Sequence, residues 1–180
     1  GFVDRIVVVD DGSQDTTSAQ VATIRDPRVQ LLRHPKNLGV GAALRSGYRH
    51  AFAEGMDIAV VMAGDAQMDP RDLDALLSPI LSGDADYVKG DRLSHPEVVA
   101  RMPLLRFVGN HVLSFVTRLS TGLAIRDSQC GYTAMHRRVG ARVPWDALWT
   151  GYGYPNDLLG WLASREARVC DVVVRPVYET

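Results

Sequence analysis

Two small groups of residues in this 180-residue chain have the types and spacing to do chemistry on charged ligands. Asp10 and Asp11 follow the β-branched run Ile6-Val7-Val8-Val9, and Asp65 follows the apolar run of residues 58–62. Ligands of open α/β sheets bind beyond the carboxyl ends of the strands, where carboxylate oxygens suit hard cations. One aspartate at a strand end is explained as a turn former or cap, but two clusters exceed what turns require. Other candidates carry less. Asp15, Asp69 and Asp72 have capping explanations, and His34, His50, His95, His111 and His136 form no pair at ligand spacing, which favours surface or capping roles.

The elements that must position these residues alternate strand and helix signals, the pattern of an α/β sheet. Strands are expected at residues 5–10, 29–33, 58–62 and 87–89, with a last run at 172–177. A short helix is expected after Asp15-Thr16-Thr17, and a longer one from Asn37-Leu38-Gly39-Val40-Gly41 to Ala53 with Gly55 as its stop. Asp69-Pro70 with Asp72 starts another helix, running to about Leu81. Residues 103–123 form an amphipathic helix. Leu105, Val108, Val112, Phe115 and Leu119 make its apolar stripe, while Arg106, Asn110, Ser114 and Thr117 share another face. Periodicity leaves two placements open for that stripe, the protein core or a membrane or partner. Trp145, Trp149 and Trp161 are expected to pack in the core, with stacking on sugar or lipid as the alternative.

Composition sets bounds. A hydrophobic fraction of 46% and a charged fraction of 23% fit one globular domain and exclude disorder. With a net charge of −1 there is no overall positive field to recruit nucleic acid. Lys36 and Lys89 apart, the lysine and arginine positions are all arginine, a bias that codon usage explains better than anion binding does. Cys130 and Cys170, forty positions apart without a CxxC pattern, read as reduced thiols of a cytosolic chain. The abrupt ends at Gly1 and Thr180 read as those of the central part of a longer protein, so residues 1–180 are expected to be a single catalytic domain truncated at both ends.

Six segments together resemble family 2 glycosyltransferases. Val9-Asp10-Asp11-Gly12-Ser13-Gln14-Asp15-Thr16 is similar to the VDDGSxDxT signature. Asn37-Leu38-Gly39, with Ala43 and Gly47, is similar to the NxGxxxAxxxG helix start, and Gly64-Asp65-Ala66-Gln67-Met68-Asp69-Pro70 to the DxDxQxxP metal loop. Gly90-Asp91-Arg92 resembles the GSR segment, and Asp127-Ser128-Gln129-Cys130-Gly131-Tyr132 the DxxSGFR segment. Gly151-Tyr152-Gly153-Tyr154-Pro155-Asn156-Asp157 resembles the GYxFxxE element. Singly each match is weak, but they occur in order along nearly the whole chain. The branch they most resemble is that of the polyprenyl-phosphate (dolichyl-phosphate) mannose or glucose synthases.

The resemblance implies a GT-A fold, a mixed and mostly parallel Rossmann-like sheet flanked by helices, with the family's first strand expected before Gly1. It implies inverting transfer of a hexose from a nucleotide-diphosphate sugar, with Mg²⁺ or Mn²⁺ as cofactor and polyprenyl phosphate as acceptor. Asp11 would contact the nucleotide base with Asp10 beside it, and Asn37 and Gly39 would belong to the same binding site. Asp65 and Gln67 would hold the metal. Arg92 and Arg106 would bind the acceptor phosphate, although a solvated helix face also explains Arg106. Asp127 either stabilises its loop or approaches the acceptor, and Asp157 is the candidate base, which an already ionised phosphate does not need. The expected setting is the cytoplasm, at the cytoplasmic face of a membrane held by peripheral contact, in cell-envelope synthesis. One departure stands out: Ala63 occupies the position where the DxD acid would begin. Two other functions remain open, transfer to a saccharide or other hydroxyl acceptor and a non-catalytic module that binds a sugar nucleotide.

Overall fold

The computed structural model describes residues 3–178, so Gly1 and Thr180, the expected points of truncation, lie outside it. The chain divides into two compact units, one running to Met56 and adding Trp145–Tyr154, the other comprising Asp57–Pro144 and the chain from Pro155 onward.

The first unit contains β1 (Ile6–Asp10), α1 (Thr17–Thr23), β2 (Val29–Arg33) and α2 (Val40–Ala53). β1 and β2 pair in parallel, Ile6 opposite Val29 and Asp10 opposite Arg33. Helix α2 buries Tyr48, whose ring stacks on Phe52 at 5.8 Å and on Trp145 at 5.1 Å. Trp145 is thus a core residue, as expected, whereas Trp149 is a correction, being 63% exposed. Capping of α1 differs in detail from the expectation. Thr16 makes no side-chain cap, and Asp15 Oδ1 instead accepts the Thr17 N–H at 2.9 Å.

The second unit contains β3 (Ile58–Val61), a 3₁₀ turn (Pro70–Asp72), α3 (Leu73–Leu81), β4 (Tyr87–Asp91), α4 (Val98–Arg101), α5 (Leu104–Thr121), β5 (Thr133–His136), α6 (Arg137–Gly140), α7 (Tyr154–Ser164) and β6 (Val169–Val173). Its sheet has the order β3-β5-β4-β6. β4 and β6 pair in parallel, and β5 runs antiparallel to β3 and β4, which makes the sheet mixed. Leu76 and Ile80 of α3 pack on Val88, Tyr132 and Ala134 of the sheet side. Burying a side chain like Leu76 completely stabilises by about 1.5–3 kcal/mol. Asp69 caps the 3₁₀ turn as expected, accepting the Arg71 N–H at 2.9 Å.

Two expectations about this unit are corrected. The last strand is Val169–Val173 rather than residues 172–177. Its register against β4 ends with Asp91 opposite Val173, the Arg175 N–H turns to Asp72 Oδ2 at 2.8 Å, and Pro176 has no N–H to donate. The other correction settles the amphipathic helix α5. Its polar residues Asn110, Ser114 and Thr117 are buried, while Leu105 is 87% and Leu119 79% exposed. The buried hydroxyls are satisfied: Ser114 Oγ accepts the Ser128 N–H at 2.9 Å, and Thr117 Oγ1 donates to Asn156 Oδ1 at 3.0 Å. Among the described residues the apolar stripe is therefore packed into no core.

Asp86 clasps the edge of this sheet. Its carboxylate accepts from Arg168 Nη2 at 3.1 Å and from Arg138 Nε, while its backbone N–H donates to Arg168 O at 2.8 Å. Burial alone would raise this carboxyl, but the two arginines hold it well below the usual carboxylate range. A depressed folded-state pKa stabilises above the unfolded value of about 4 and loses that contribution as pH falls. Asp86→Asn is therefore expected to lower stability at pH 7 by about 1 kcal/mol, since both arginines are half exposed and screened. Urea titrations at pH 7 and pH 3 should show that the difference between variant and parent shrinks at the lower pH.

Candidate active site

In the first unit the chain leaves β1 through Asp10 and Asp11. Asp10 is buried; its Oδ1 accepts the Ser13 N–H at 2.8 Å and its Oδ2 the Ser18 hydroxyl, with Arg33 Nε at 3.5 Å. The Ser18 and Ser13 hydrogen bonds lower its pKa to about 2. Gly12 turns the chain with φ +76°, and a Cβ there would lie 2.4 Å from the Lys36 carbonyl carbon, so the two loops touch backbone to backbone. Asp11 closes that contact. Its carboxylate meets His34 Nδ1 at 2.6 Å and accepts the Leu38 N–H at 2.9 Å and the Gly39 N–H at 2.8 Å. Burial opposes its charge, yet the bonds from His34, Leu38 and Gly39 prevail and the pKa is lowered.

Asn37 and Gly39 lie in this loop, where Asn37 Oδ1 also accepts from the Gly39 N–H at 3.1 Å. Gly39 has φ +98°, and a Cβ there would sit 2.4 Å from Thr150 O. The start of α2 is thus seated on residues 149–150 of the same unit, where the Gly41 N–H donates to Thr150 O at 2.8 Å. His34 is a correction. It is buried rather than on the surface, held between Asp11 and Ser46 Oγ, which lies 2.9 Å from Nε2. Its position at the end of a strand, between two motif segments, was the available signal.

In the second unit Asp65 and Gln67 follow β3 in a short exposed loop, with Ala66 at φ +58° and the Gln67 N–H donating to Asp65 Oδ1 at 3.1 Å. Arg92, just after β4, is buried on Asp127. Its Nε lies 2.8 Å from Asp127 Oδ2 and its Nη2 3.2 Å from Oδ1. Asp127 is fully buried and also accepts the Gln129 N–H at 3.1 Å, so it holds its loop and orients Arg92. Arg106, in the first turn of α5, is exposed and makes no ion pair among the described residues. A cavity of about 430 Å³ within this unit is lined by Asp65, Gln67, Arg106 and Tyr178. Tyr178 connects the two arginines, its hydroxyl accepting from Arg92 Nη1 at 3.3 Å and its ring lying 5.1 Å from Arg106 Cζ. The arginine pair is therefore on one side of the unit, beside the Asp65 loop. Asp157 is half-buried in the first turn of α7. Tyr178 belongs to no motif segment and lies just past the apolar run at residues 172–177, so the sequence carries no signal for it.

The donor set offered to a divalent cation is one carboxylate, Asp65, and one amide oxygen, Gln67. Among the described residues no group of three or more His, Cys, Asp or Glu side chains is placed to hold a metal. These oxygens fit Mg²⁺ or Mn²⁺ in the mode where substrate phosphates complete the coordination.

Asp11 and Asp65 should separate in stability measurements. Asp11→Asn replaces an acceptor oxygen by a donor facing N–H groups and is expected to cost about 1–3 kcal/mol in urea unfolding. Asp65→Asn, in an exposed loop, should stay within about 0.5 kcal/mol of the parent.

Comparison with known proteins places the chain. The profile of glycosyl transferase family 2 matches residues 2–142. A UDP-N-acetylglucosamine–dolichyl-phosphate N-acetylglucosaminyltransferase of Methanococcus voltae is 34% identical over an alignment of 148 positions that covers 74% of this chain and 59% of that protein. The polyprenol monophosphomannose synthase of Mycolicibacterium smegmatis is 31% identical over an alignment of 157 positions that covers 85% of this chain and 59% of that one. The chain thus spans somewhat over half the length of these relatives. Among solved structures, glucosyl-3-phosphoglycerate synthase of Mycobacterium tuberculosis with Mn²⁺, uridine diphosphate and phosphoglyceric acid matches with a TM-score of 0.71 at 22% identity, covering 100% of this chain and 61% of that one. The same enzyme with Mg²⁺ and uridine diphosphate gives a TM-score of 0.70. The fold is therefore the GT-A fold, and the chain belongs to glycosyl transferase family 2.

Proposed function

We propose that this chain is the catalytic part of an inverting glycosyltransferase that moves a hexose from a nucleotide-diphosphate sugar to polyprenyl phosphate. The observation that carries this reading is the cavity in the second unit, where the Asp65–Gln67 loop, Arg106 and Tyr178 line one space. It joins oxygen donors suited to a cation–diphosphate group to a guanidinium suited to a second phosphate. The relatives named for dolichyl or polyprenol phosphate support the same acceptor class.

We propose residue roles on that basis. Arg106 is the exposed cation that would meet the acceptor phosphate, while Arg92, whose charge Asp127 neutralises, would hold the Tyr178 hydroxyl behind it. Asp65 and Gln67 would hold Mg²⁺ or Mn²⁺, which supplies neutralisation of the leaving diphosphate. The acceptor phosphate is already ionised, so its oxygen attacks the sugar carbon without a base, and Asp157 is left to shape the acceptor side. In the first unit the Asp10–Asp11 turn and the Asn37–Gly39 loop are offered to the nucleotide. Since Asp11 already carries three hydrogen bonds, it would serve mainly by holding that loop.

Helix α5 supports the lipid part. It starts beside the cavity and carries Leu105, Val108, Val112, Phe115 and Leu119 outward, with Arg101, Arg106 and Arg118 near by. An amphipathic helix with basic residues flanking its apolar face suits a membrane surface with anionic headgroups. Among the described residues no helix is long and apolar enough to cross a membrane. The exposed stripe of α5 supports a peripheral contact of this part of the protein, proposed at the cytoplasmic face.

The test uses the full-length protein. Melting temperatures with nucleotide sugars and Mg²⁺ or Mn²⁺ should rise for the true donor. Asp65→Asn is expected to abolish the metal-dependent part of that rise and most activity, while Asp69→Asn should keep activity, because Asn still caps the turn. Arg106→Ala is expected to raise the KM for polyprenyl phosphate about ten- to a hundredfold, the cost of one charge-assisted contact, with donor binding intact. Turnover on a saccharide acceptor that depends on Asp157 and ignores Arg106 would replace this reading by hydroxyl transfer. Donor binding without turnover on any acceptor would indicate a binding module.

A further inference from the structure

Tyr178 occupies a position that neither arginine explains. A line of contacts runs from the fully buried carboxylate of Asp127 through Arg92 to the Tyr178 hydroxyl, and from the Tyr178 ring to the exposed guanidinium of Arg106. Arg92 has its Nε and Nη2 committed to Asp127 and its Nη1 to Tyr178, so it cannot swing into the cavity without breaking buried bonds. Arg106 is the opposite case, a long exposed side chain with no carboxylate partner among the described residues, restrained by the Tyr178 ring. An aromatic face attracts a guanidinium through its quadrupole and leaves the positive charge unneutralised. A carboxylate at the same place would restrain Arg106 equally but cancel the charge that an incoming anion requires. Burial pushes the phenol above its ordinary pKa, so the ring remains neutral in the physiological range.

We propose that Tyr178 is a positioning residue that aims the Arg106 guanidinium at the acceptor phosphate by holding it on its ring face. This rests on the lipid-phosphate reading above and adds to it a residue outside the motif segments. The ring is the working part, and the hydroxyl bond to Arg92 sets the angle of the ring.

The experiment titrates farnesyl phosphate, as a soluble prenyl phosphate, into the full-length protein by calorimetry and measures KM and kcat with the same acceptor. Tyr178→Leu is expected to weaken farnesyl phosphate binding about five- to tenfold and to raise KM equally, with donor affinity unchanged. Tyr178→Phe, which keeps the ring, should remain within about twofold of the parent. In an Arg106→Ala background, Tyr178→Leu should add less than about twofold, because the group it positions is gone. Should Tyr178→Leu fail to fold, Tyr178→Met, which fills similar space without an aromatic face, takes its place in each comparison. If Arg106→Ala weakens binding while loss of the ring does not, the positioning role is overturned and the lipid-phosphate reading stands. A full ring effect that persists without Arg106 would equally overturn it, showing packing alone. If Arg106→Ala itself leaves farnesyl phosphate binding unchanged, the acceptor reading falls and the role of Tyr178 with it.

Discussion

Asp127 has no access to water, and a charge so placed is tolerable only because the Arg92 guanidinium meets both of its oxygens. Removing one partner of such a pair costs about 3–5 kcal/mol, because the other is left as an uncompensated buried charge. Much of the second unit depends on this pair. It pins the turn after β4 to the loop before β5, and it holds Arg92 so that one remaining nitrogen reaches Tyr178. Lys89 is buried on the same strand and donates to the Cys130 carbonyl, while Asp91 accepts the Ser94 N–H at 3.0 Å. The end of β4 is therefore a polar core built from charges and backbone, beside the apolar core of Leu76, Val88 and Ala134.

Helix α5 shows the same principle with neutral groups. Its inner face is polar because Ser128, Gln129 and Asn156 present hydrogen-bonding partners there, and Gln129 Nε2 joins Ser128 Oγ at 2.8 Å to Asn156 Oδ1 at 3.1 Å. A hydroxyl buried with a partner costs little, whereas one buried without a partner costs several times more. The network fixes which way the helix faces, and the apolar stripe is left outside as a consequence. Contiguous exposed apolar surface of that kind marks a place of interaction.

In the first unit the two acids after β1 are structural before they are anything else. Asp10 and Asp11 spend their oxygens on Ser13, Ser18, His34, Leu38 and Gly39, so the carboxylates knit three loop segments into one surface. Chemistry at such a loop comes from the backbone that the aspartates hold in place as much as from the aspartates themselves.

Local pattern made the strands at residues 6–10, 29–33 and 58–61, the cap at Asp69, the stop at Gly55 and the motif segments legible, because each is set by neighbours a few residues away. β5 was not legible: Thr133–His136 is four residues long and lacks a β-branched run, and it is a strand because β3 and β4 flank it. The candidate site divides the same way. Asp65 could be named from its place at a strand end, and Gln67, Arg92 and Arg106 from motif resemblance, but the cavity that Asp65, Gln67 and Arg106 share could not, since it depends on contacts across long stretches of chain. Tyr178 lies 86 positions from Arg92 and no periodicity connects them, and the orientation of α5 turns on partners in two other segments. Residue types and their spacing determined which groups this protein has for binding anions and cations. Only the tertiary structure decided which of them face one another, because burial and hydrogen-bond satisfaction are properties of distant pairs.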